Sequence, residues 1–413
     1  MDLLRTRLFV DNGVVRFLGD GLAMSRDLRL GVLVAVLVVS LLNTTAALGQ
    51  SSNAARSAEL HQNAMTLEQQ GRSAEADAAW QAYAKLRPQD AEAWAHRGFL
   101  AARAEQYPEA IALYQHALRL NPSLPHLRMN LGLACFKSGQ MKQAAESFVA
   151  ERQSQTPNSA EWQRTTTLAG MSYYGLHDYA SAVPFLKEAA EADPANLPLR
   201  LSLAHSCLWS RQFPCVLEVY RQMLALNSES AEVDMLAGEA ADEMKDRGTA
   251  VDAFRAAVKA NPEQPEVHFG LGYLLWKQHQ IPEAKAELEA ELERNPGHFQ
   301  AMQYMGDALM QLGEVDQARQ WLGKALALEP RLWLAHLDLG IVQADKGEQE
   351  AALAQMQAAA DLNPNEVNVH WRLGKLLKEM GRSAEARAEM AKANRLTQQS
   401  DESVLKKMAP VKE

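Results

Sequence analysis

The sequence predicts an all-α fold, a solenoid of stacked helical hairpins, and three observations carry that expectation. A pattern of small residues returns every 34 residues over most of the 413-residue chain. Between the recurrences apolar residues fall at i, i+3, i+4 and i+7, the stripe of an amphipathic helix. Asn-Pro pairs such as Asn261-Pro262, Asn295-Pro296 and Asn363-Pro364 punctuate the units where a second helix must stop. Composition agrees with a packed chain. Apolar residues at 47% and charged residues at 23% disfavour collagen-like, disordered and multi-span membrane classes. A net charge of −9 with no long basic run argues against a nucleic-acid partner. Three cysteines are too few for a disulfide framework or a four-ligand zinc cluster, so packing must supply most of the stability.

Residues 1–49 read as an N-terminal extension and export signal. Arg26 and Arg29 precede an apolar run from Leu30 to Leu42, and small residues follow at Ala47 and Gly49, which places cleavage after Gly49. The run of thirteen is short of the roughly 20 residues that a membrane span needs. Met24 would begin a compact signal and is the expected start. The location expected is therefore exported, periplasmic or extracellular, with inner-membrane anchoring only if the signal is retained. Residues 50–56 read as a linker.

Ten repeats are expected over residues 57–400. One alanine position recurs as Ala76, Ala110, Ala144, Ala182, Ala250, Ala284, Ala318, Ala352 and Ala386, with Val216 in its place once. Steps are 34 residues except for one of 38. A glycine position recurs as Gly98, Gly132, Gly170, Gly238, Gly272, Gly306, Gly340 and Gly374, replaced by Ala64 and Ala204. The third repeat carries extra residues around Glu151 to Glu161. The fifth loses Gly, Ala and Pro at Ala204, Val216 and Ser228, so a bend or looser packing is expected there. The stripe Phe269, Gly272, Tyr273, Trp276 marks one helix of a pair. Gly272 and Ala284 should sit where its two helices cross, with Leu271, Leu275 and Leu288 filling the space around them. The Asn of each Asn-Pro pair is expected to take a left-handed turn. A lone hairpin cannot bury its own face, so neighbours stack. Residues 401–413 read as a tail or cap, with Val404, Leu405 and Met408 at helical spacing.

The recurring Trp94, Gly98, Ala101, Tyr107, Ala110, Tyr114 and Pro122 set resembles the tetratricopeptide repeat in residue type and offset. The resemblance implies a right-handed superhelix whose first helices line a concave groove. It also implies a ligand-facing set on those helices. The set comprises Met129, Leu133 and Phe136; Met171 and Tyr174; Leu201, His205 and Leu208; Met235, Glu239 and Asp242; Phe269, Tyr273 and Trp276; Gln303, Asp307 and Met310; and Leu337 and Ile341. Such a groove is apolar and aromatic with an acidic step, suited to a protein or extended peptide. The same side chains could instead pack between helices. The family's clamp for an acidic C-terminus has a counterpart only at Lys375 and Lys378 beside Trp371 and Arg372. Glu239, Asp242 and Glu243 would favour a basic segment, though a solvated acidic face reads the same way.

Cys207 and Cys215 lie eight apart, a spacing that can cross a hairpin turn. Related exported helical-hairpin repeats are stapled at this spacing, which implies a disulfide here; the other reading is two small buried thiols. Cys135 reads as core. His268, His336 and His370 occupy equivalent repeat positions, but neighbouring helices about 8–10 Å apart cannot bring them onto one ion. No nucleophile elbow, phosphate loop, dinucleotide fingerprint or zinc pair is present, so neither an enzyme nor a cofactor is expected. The function expected is a non-enzymatic scaffold that binds a partner in its groove. The alternative is a structural subunit of an envelope complex held by its convex face or ends. A third, least favoured reading is an accessory portion of a larger enzyme.

Overall fold

In a computed structural model the described residues are 9–11, 14–16, 53–226 and 230–408. The apolar run at 30–42, the cleavage point after Gly49 and Met24 lie outside them. Strand β1 (Phe9–Asp11) pairs antiparallel with β2 (Val14–Arg16), Phe9 opposite Arg16. Everything else described is helical or connects helices.

The chain forms two compact units, Met1–Glu151 and Arg152–Glu413. The first holds α1 (residues 53–69), α2 (Ser73–Leu86), α3 (Ala91–Arg103), α4 (Tyr107–Leu120), α5 (Leu127–Lys137) and nearly all of α6 (Met141–Arg152). Helix α1 begins inside the expected 50–56 linker. The second unit begins with α7 (Ala160–Gly175), α8 (Tyr179–Ala192), α9 (Leu197–Trp209), α10 (Phe213–Ala225), α11 (Ala231–Glu243), α12 (Arg247–Ala260) and α13 (Val267–Lys277). It continues with α14 (Ile281–Arg294), α15 (Phe299–Gln311), α16 (Val315–Leu328), α17 (Trp333–Asp345), α18 (Gln349–Leu362), α19 (Val367–Glu379) and α20 (Ser383–Met408). Helix α20 runs on into the expected tail. Within each unit a helix packs on its hairpin mate and on the next hairpin, and the odd-numbered helices of the second unit lie side by side.

The 34-residue signal is a packing rule. Each recurring glycine on a first helix faces the residue sixteen later on its mate, and a Cβ there would strike it. From Gly98 it would stand 2.7 Å from the Tyr114 ring, and from Gly272 3.0 Å from Leu288 Cγ. The alanine that starts each second helix is fully buried at the same crossing, as at Ala284 and Ala318. Small residues on both sides allow the backbones to approach, and one large side chain fills the gap.

Two turns complete the hairpin. Inside every hairpin one residue takes a left-handed conformation, and it is glycine in only half of them. Gly71, Gly139, Gly313, Gly347 and Gly381 alternate in role with Glu105, His177, Arg211, Lys245 and His279, all at φ between 59° and 79°. At Gly313 the flanking amides close the helix end, with Gly313 N donating to Met310 O and Glu314 N to Leu309 O. Between hairpins the structure corrects the sequence expectation. Asn261, Asn295 and Asn363 are not left-handed; their φ values are −152°, −126° and −133°. The following proline forces the extended region on them. The asparagine contributes through its side chain, Asn261 Oδ1 accepting from Glu263 N at 3.1 Å.

The fifth hairpin departs as its sequence suggests. Ala204 and Val216 occupy the glycine and alanine positions, and α9 and α10 pack less closely on each other than do α3 and α4, α7 and α8, or the mates from α11 to α20. A disulfide joins Cys207 on α9 to Cys215 on α10, with Cα atoms 5.8 Å apart. Cys135 is buried in α5, and burial pushes its thiol up to about 11, so it stays protonated and unreactive at neutral pH. In the segment carrying the extra residues, the Arg152 guanidinium lies 4.1 Å from the Trp162 ring, donates to Thr166 Oγ1 and pairs with Glu188. That one side chain ties the inserted segment to the first hairpin of the second unit.

One buried charge is poorly served. Asp338 on α17 is 5% exposed, and among the described residues its Oδ2 has no hydrogen-bond partner. Burial first, then the Asp307 carboxylate, hold its carboxyl well above the ordinary 3.8, against a smaller opposing pull from Arg372. A raised folded-state pKa means that the contribution to stability is fully present below about pH 3.8 and is lost as pH rises through the raised value. Asp338→Asn should remove that loss and stabilise the fold at pH 8 by about 1–3 kcal/mol. Urea denaturation of both chains at pH 4 and pH 8 checks it: an equal pH dependence in the two would contradict the assignment.

Candidate functional site

The groove residues expected from the sequence fall into three groups. Met129, Leu133 and Phe136 on α5 are half-buried on the surface of the first unit. Met171, Tyr174, Leu201 and Leu208 pack against the core shared by α7 to α11, and Tyr174 Oη bonds His205 Nδ1 at 3.1 Å while His205 Nε2 lies 3.3 Å from Glu232. Leu337 is 1% exposed and Gln303 7% exposed, so both belong to the core and not to a ligand-facing set. The reason is the neighbouring first helices, which cover these positions once the hairpins stack. Asp307 accepts from Gln311, Met310 packs on the core, and Ile341 is likewise packed against a core cluster.

Phe269, Tyr273 and Trp276 come together as expected from their spacing on α13, and α15 adds a ring that sequence reading missed. Tyr304 stands 5.1 Å from Tyr273 and 4.7 Å from Trp276, centroid to centroid, and His298 lies 4.4 Å from Phe269. Burial pushes the Tyr304 hydroxyl up to about 12, so it remains a neutral phenol. The Trp276 indole N–H is buried and has no hydrogen-bond partner among the described residues.

Beside this cluster, α11 and α13 enclose a cleft of about 290 Å³. Met235, Phe254, Phe269, Tyr273 and Leu274 form apolar walls, and Glu239, Asp242 and Glu266 bring three carboxylates. Its floor depends on Gly270. The Phe254 ring reaches up from α12 and lies against both Gly238 and Gly270, where a Cβ on either would overlap it. Gly270 is not one of the recurring glycines; Tyr304, Asp338 and Arg372 hold the equivalent position in the next three hairpins.

The carboxylates are not equivalent. Lys277 Nζ holds Asp242 at 2.6 and 2.8 Å, and His298 Nε2 lies 2.8 Å from Glu266. Of the expected acidic cluster, Glu243 pairs with Arg211 at 3.5 Å. Among the described residues no hydrogen bond or ion pair is made by Glu239. It is exposed at the cleft, yet the walls remove enough of its water to hold its carboxyl above the ordinary carboxylate value. At the far end Trp371 is 48% exposed, the Arg372 guanidinium lies 5.5 Å from its ring, and Lys375 is 3.9 Å from Glu379. Lys378 is exposed on the same helix.

Metal chemistry has no good home among the described residues. His336 and His370 engage both ring nitrogens. Nε2 of each donates to the carbonyl of the proline six residues earlier at 2.9 Å, and Nδ1 faces Gln355 or Glu389. Trp94 and Arg200 cap Pro88 and Pro194 in the same way, so this position is a structural clasp on the turn between hairpins. Glu266, Glu291 and His298 converge within 4.8 Å, but His298 Nδ1 accepts the Ala301 N–H that caps α15. Its Nε2 therefore carries the proton it donates to Glu266 and has no lone pair for an ion.

Stacked helical hairpins with an open cleft between neighbouring first helices define the class: an all-α helical-repeat solenoid. Family profiles identify the repeat. The tetratricopeptide repeat matches residues 235–280, 269–332, 305–367, 337–401 and 166–196, and the TPR repeat matches 102–139. This chain is a tetratricopeptide repeat protein of roughly ten hairpins. It is 37% identical over 65 residues to the peroxisomal targeting signal receptor of Candida albicans (strain SC5314 / ATCC MYA-2876), a match covering 16% of this chain and 11% of that protein. The match thus spans about a tenth of the relative's length. Solved structures similar to it include MamA from Desulfovibrio magneticus RS-1, at 21% identity and a TM-score of 0.37, covering 41% of this chain and 97% of that one. YrrB, a TPR protein with an unusual peptide-binding site, has 17% identity and a TM-score of 0.36, covering 46% and 98%. The Cut9-Hcn1 hetero-tetramer of the APC/C has 14% identity and a TM-score of 0.41, covering 81% and 80%.

Proposed function

We propose that this chain is an exported scaffold that holds an extended segment of a partner protein across α11, α13 and α15. The observation that carries the reading is the cleft of about 290 Å³ beside the cluster of Phe269, Tyr273, Trp276 and Tyr304. Half-buried aromatic side chains around an open cleft supply contact area at low entropic cost, which is where binding energy concentrates. Export is supported by the basic and apolar pattern from Arg26 to Gly49 and by the Cys207–Cys215 bridge, which persists in an oxidising compartment.

The test is affinity capture from the native cell envelope with wild type and with a Phe269→Asp, Tyr273→Asp, Trp276→Asp variant of unchanged helicity. Specific partners should be lost from the variant. Retention of the same partners would overturn the reading and favour docking through the convex face, the hairpin ends or the Trp371, Lys375, Lys378 patch.

A further inference from the structure

We infer that the cleft between α11 and α13 takes a basic side chain of the partner segment, an arginine or lysine whose cation meets Glu239 and whose stem lies against Met235, Phe269 and Tyr273. This rests on the reading of the cleft as the binding surface and adds the chemistry of what enters it.

Three observations point to that occupant. The walls are apolar and aromatic while the charged side chains that line the space are all carboxylates. An aliphatic stem ending in a cation satisfies both at once, since lysine and arginine bury their methylenes on apolar surface and keep the charge at the polar edge. Next, Asp242 and Glu266 already have internal partners, which leaves Glu239 as the cleft carboxylate with none among the described residues. A carboxylate set against apolar walls gains more from an incoming cation than one in open water does. Finally, the chain supplies its own precedent. Lys277 sends its ammonium to Asp242, 5.6 Å from the Tyr273 centroid, so one face of this ring already works beside a cation held by a carboxylate. Glu239 offers the same combination from α11 with no cation in place.

The architecture explains why this hairpin and not its neighbours. With Tyr304, Asp338 or Arg372 at the position of Gly270, a side chain would occupy the space between adjacent first helices. Gly270 has no side chain there, so the Phe254 ring lies against its backbone and forms the bottom of the cleft.

Titration calorimetry on the full chain tests the assignment with two hexapeptides, one alternating leucine and arginine, the other with citrulline, the uncharged isostere, at each arginine. Wild type should bind the arginine peptide at least tenfold more tightly than the citrulline peptide. Glu239→Gln, an exposed and near-isosteric change, should reduce arginine-peptide affinity at least tenfold. Lys277→Met, which frees Asp242 to face the cleft, should raise it several-fold. Equal binding of the two peptides, or a Glu239→Gln variant with undiminished affinity, would overturn the inference. The outcomes separate from those of the broader reading. If envelope partners depend on Phe269, Tyr273 and Trp276 but not on Glu239, the scaffold reading stands and the basic-residue assignment fails. If they depend on neither, the cleft is not the binding surface.

Discussion

Gly238→Ala is expected to destabilise the second unit by about 3 kcal/mol, the upper part of the range for overpacking a closed core. A methyl at this position would overlap the Phe254 ring and stand 3.2 Å from Ala250 O. The usual relief is for the ring to move aside. Here it cannot, because Phe254 is 4% exposed and its other edge already presses on Gly270. The helices α11 and α12 must separate instead, and the floor of the cleft goes with them. Gly323→Ala is the matched control. Gly323 lies exposed within α16 with nothing within 4 Å of its absent Cβ, so the same substitution should stabilise by about 1 kcal/mol through helix propensity alone. Urea unfolding followed by circular dichroism reads both; the packing account fails if the two variants shift the midpoint in the same direction.

Opening the Cys207–Cys215 bridge is the second large effect. A crosslink over so short a loop restricts the unfolded chain by about 2.5 kcal/mol, and the double substitution Cys207→Ser, Cys215→Ser should lose about that much. The position gives the number its significance. From the second hairpin on, glycine and alanine elsewhere let two helices close on each other, whereas in the fifth hairpin Ala204 and Val216 hold α9 and α10 apart and the covalent bond does part of the work of packing. Loss should therefore appear first as local opening, with amide exchange rising in α9 and α10 before the flanking hairpins respond. Reducing agent should reproduce the change in wild type and leave the double variant unaltered. Uniform exchange across the second unit would show that the bridge carries no local burden.

The site was legible in part. Phe269, Tyr273 and Trp276 could be grouped because they share one helix face at i, i+4 and i+7, a relation fixed by helical geometry. Tyr304 could not, because it joins them from another helix through a stacking distance that no local pattern encodes. Glu239 stood out with Asp242 and Glu243 as a charge cluster, but which of the three lacks a partner depends on Lys277 and Arg211 arriving from neighbouring hairpins. Leu337 and Gln303 matched the groove positions by offset and proved to be core for the same reason. Gly270 carried a faint signal, a glycine outside the recurring position, whose meaning appears only with Phe254 beneath it.

The sequence by itself determined the hairpin, its period and its number, because each hairpin is built from contacts within 34 residues and the same small residues must recur wherever two helices cross. It also marked the fifth hairpin as the irregular one. Only the tertiary structure decided that the asparagines before the prolines stay extended, which histidines clasp a proline carbonyl, which acid is left unpaired among the described residues and where the surface opens. Those outcomes depend on what the next hairpin places alongside, and a repeat pattern, being the part that neighbours share, is silent about the side chains in which they differ.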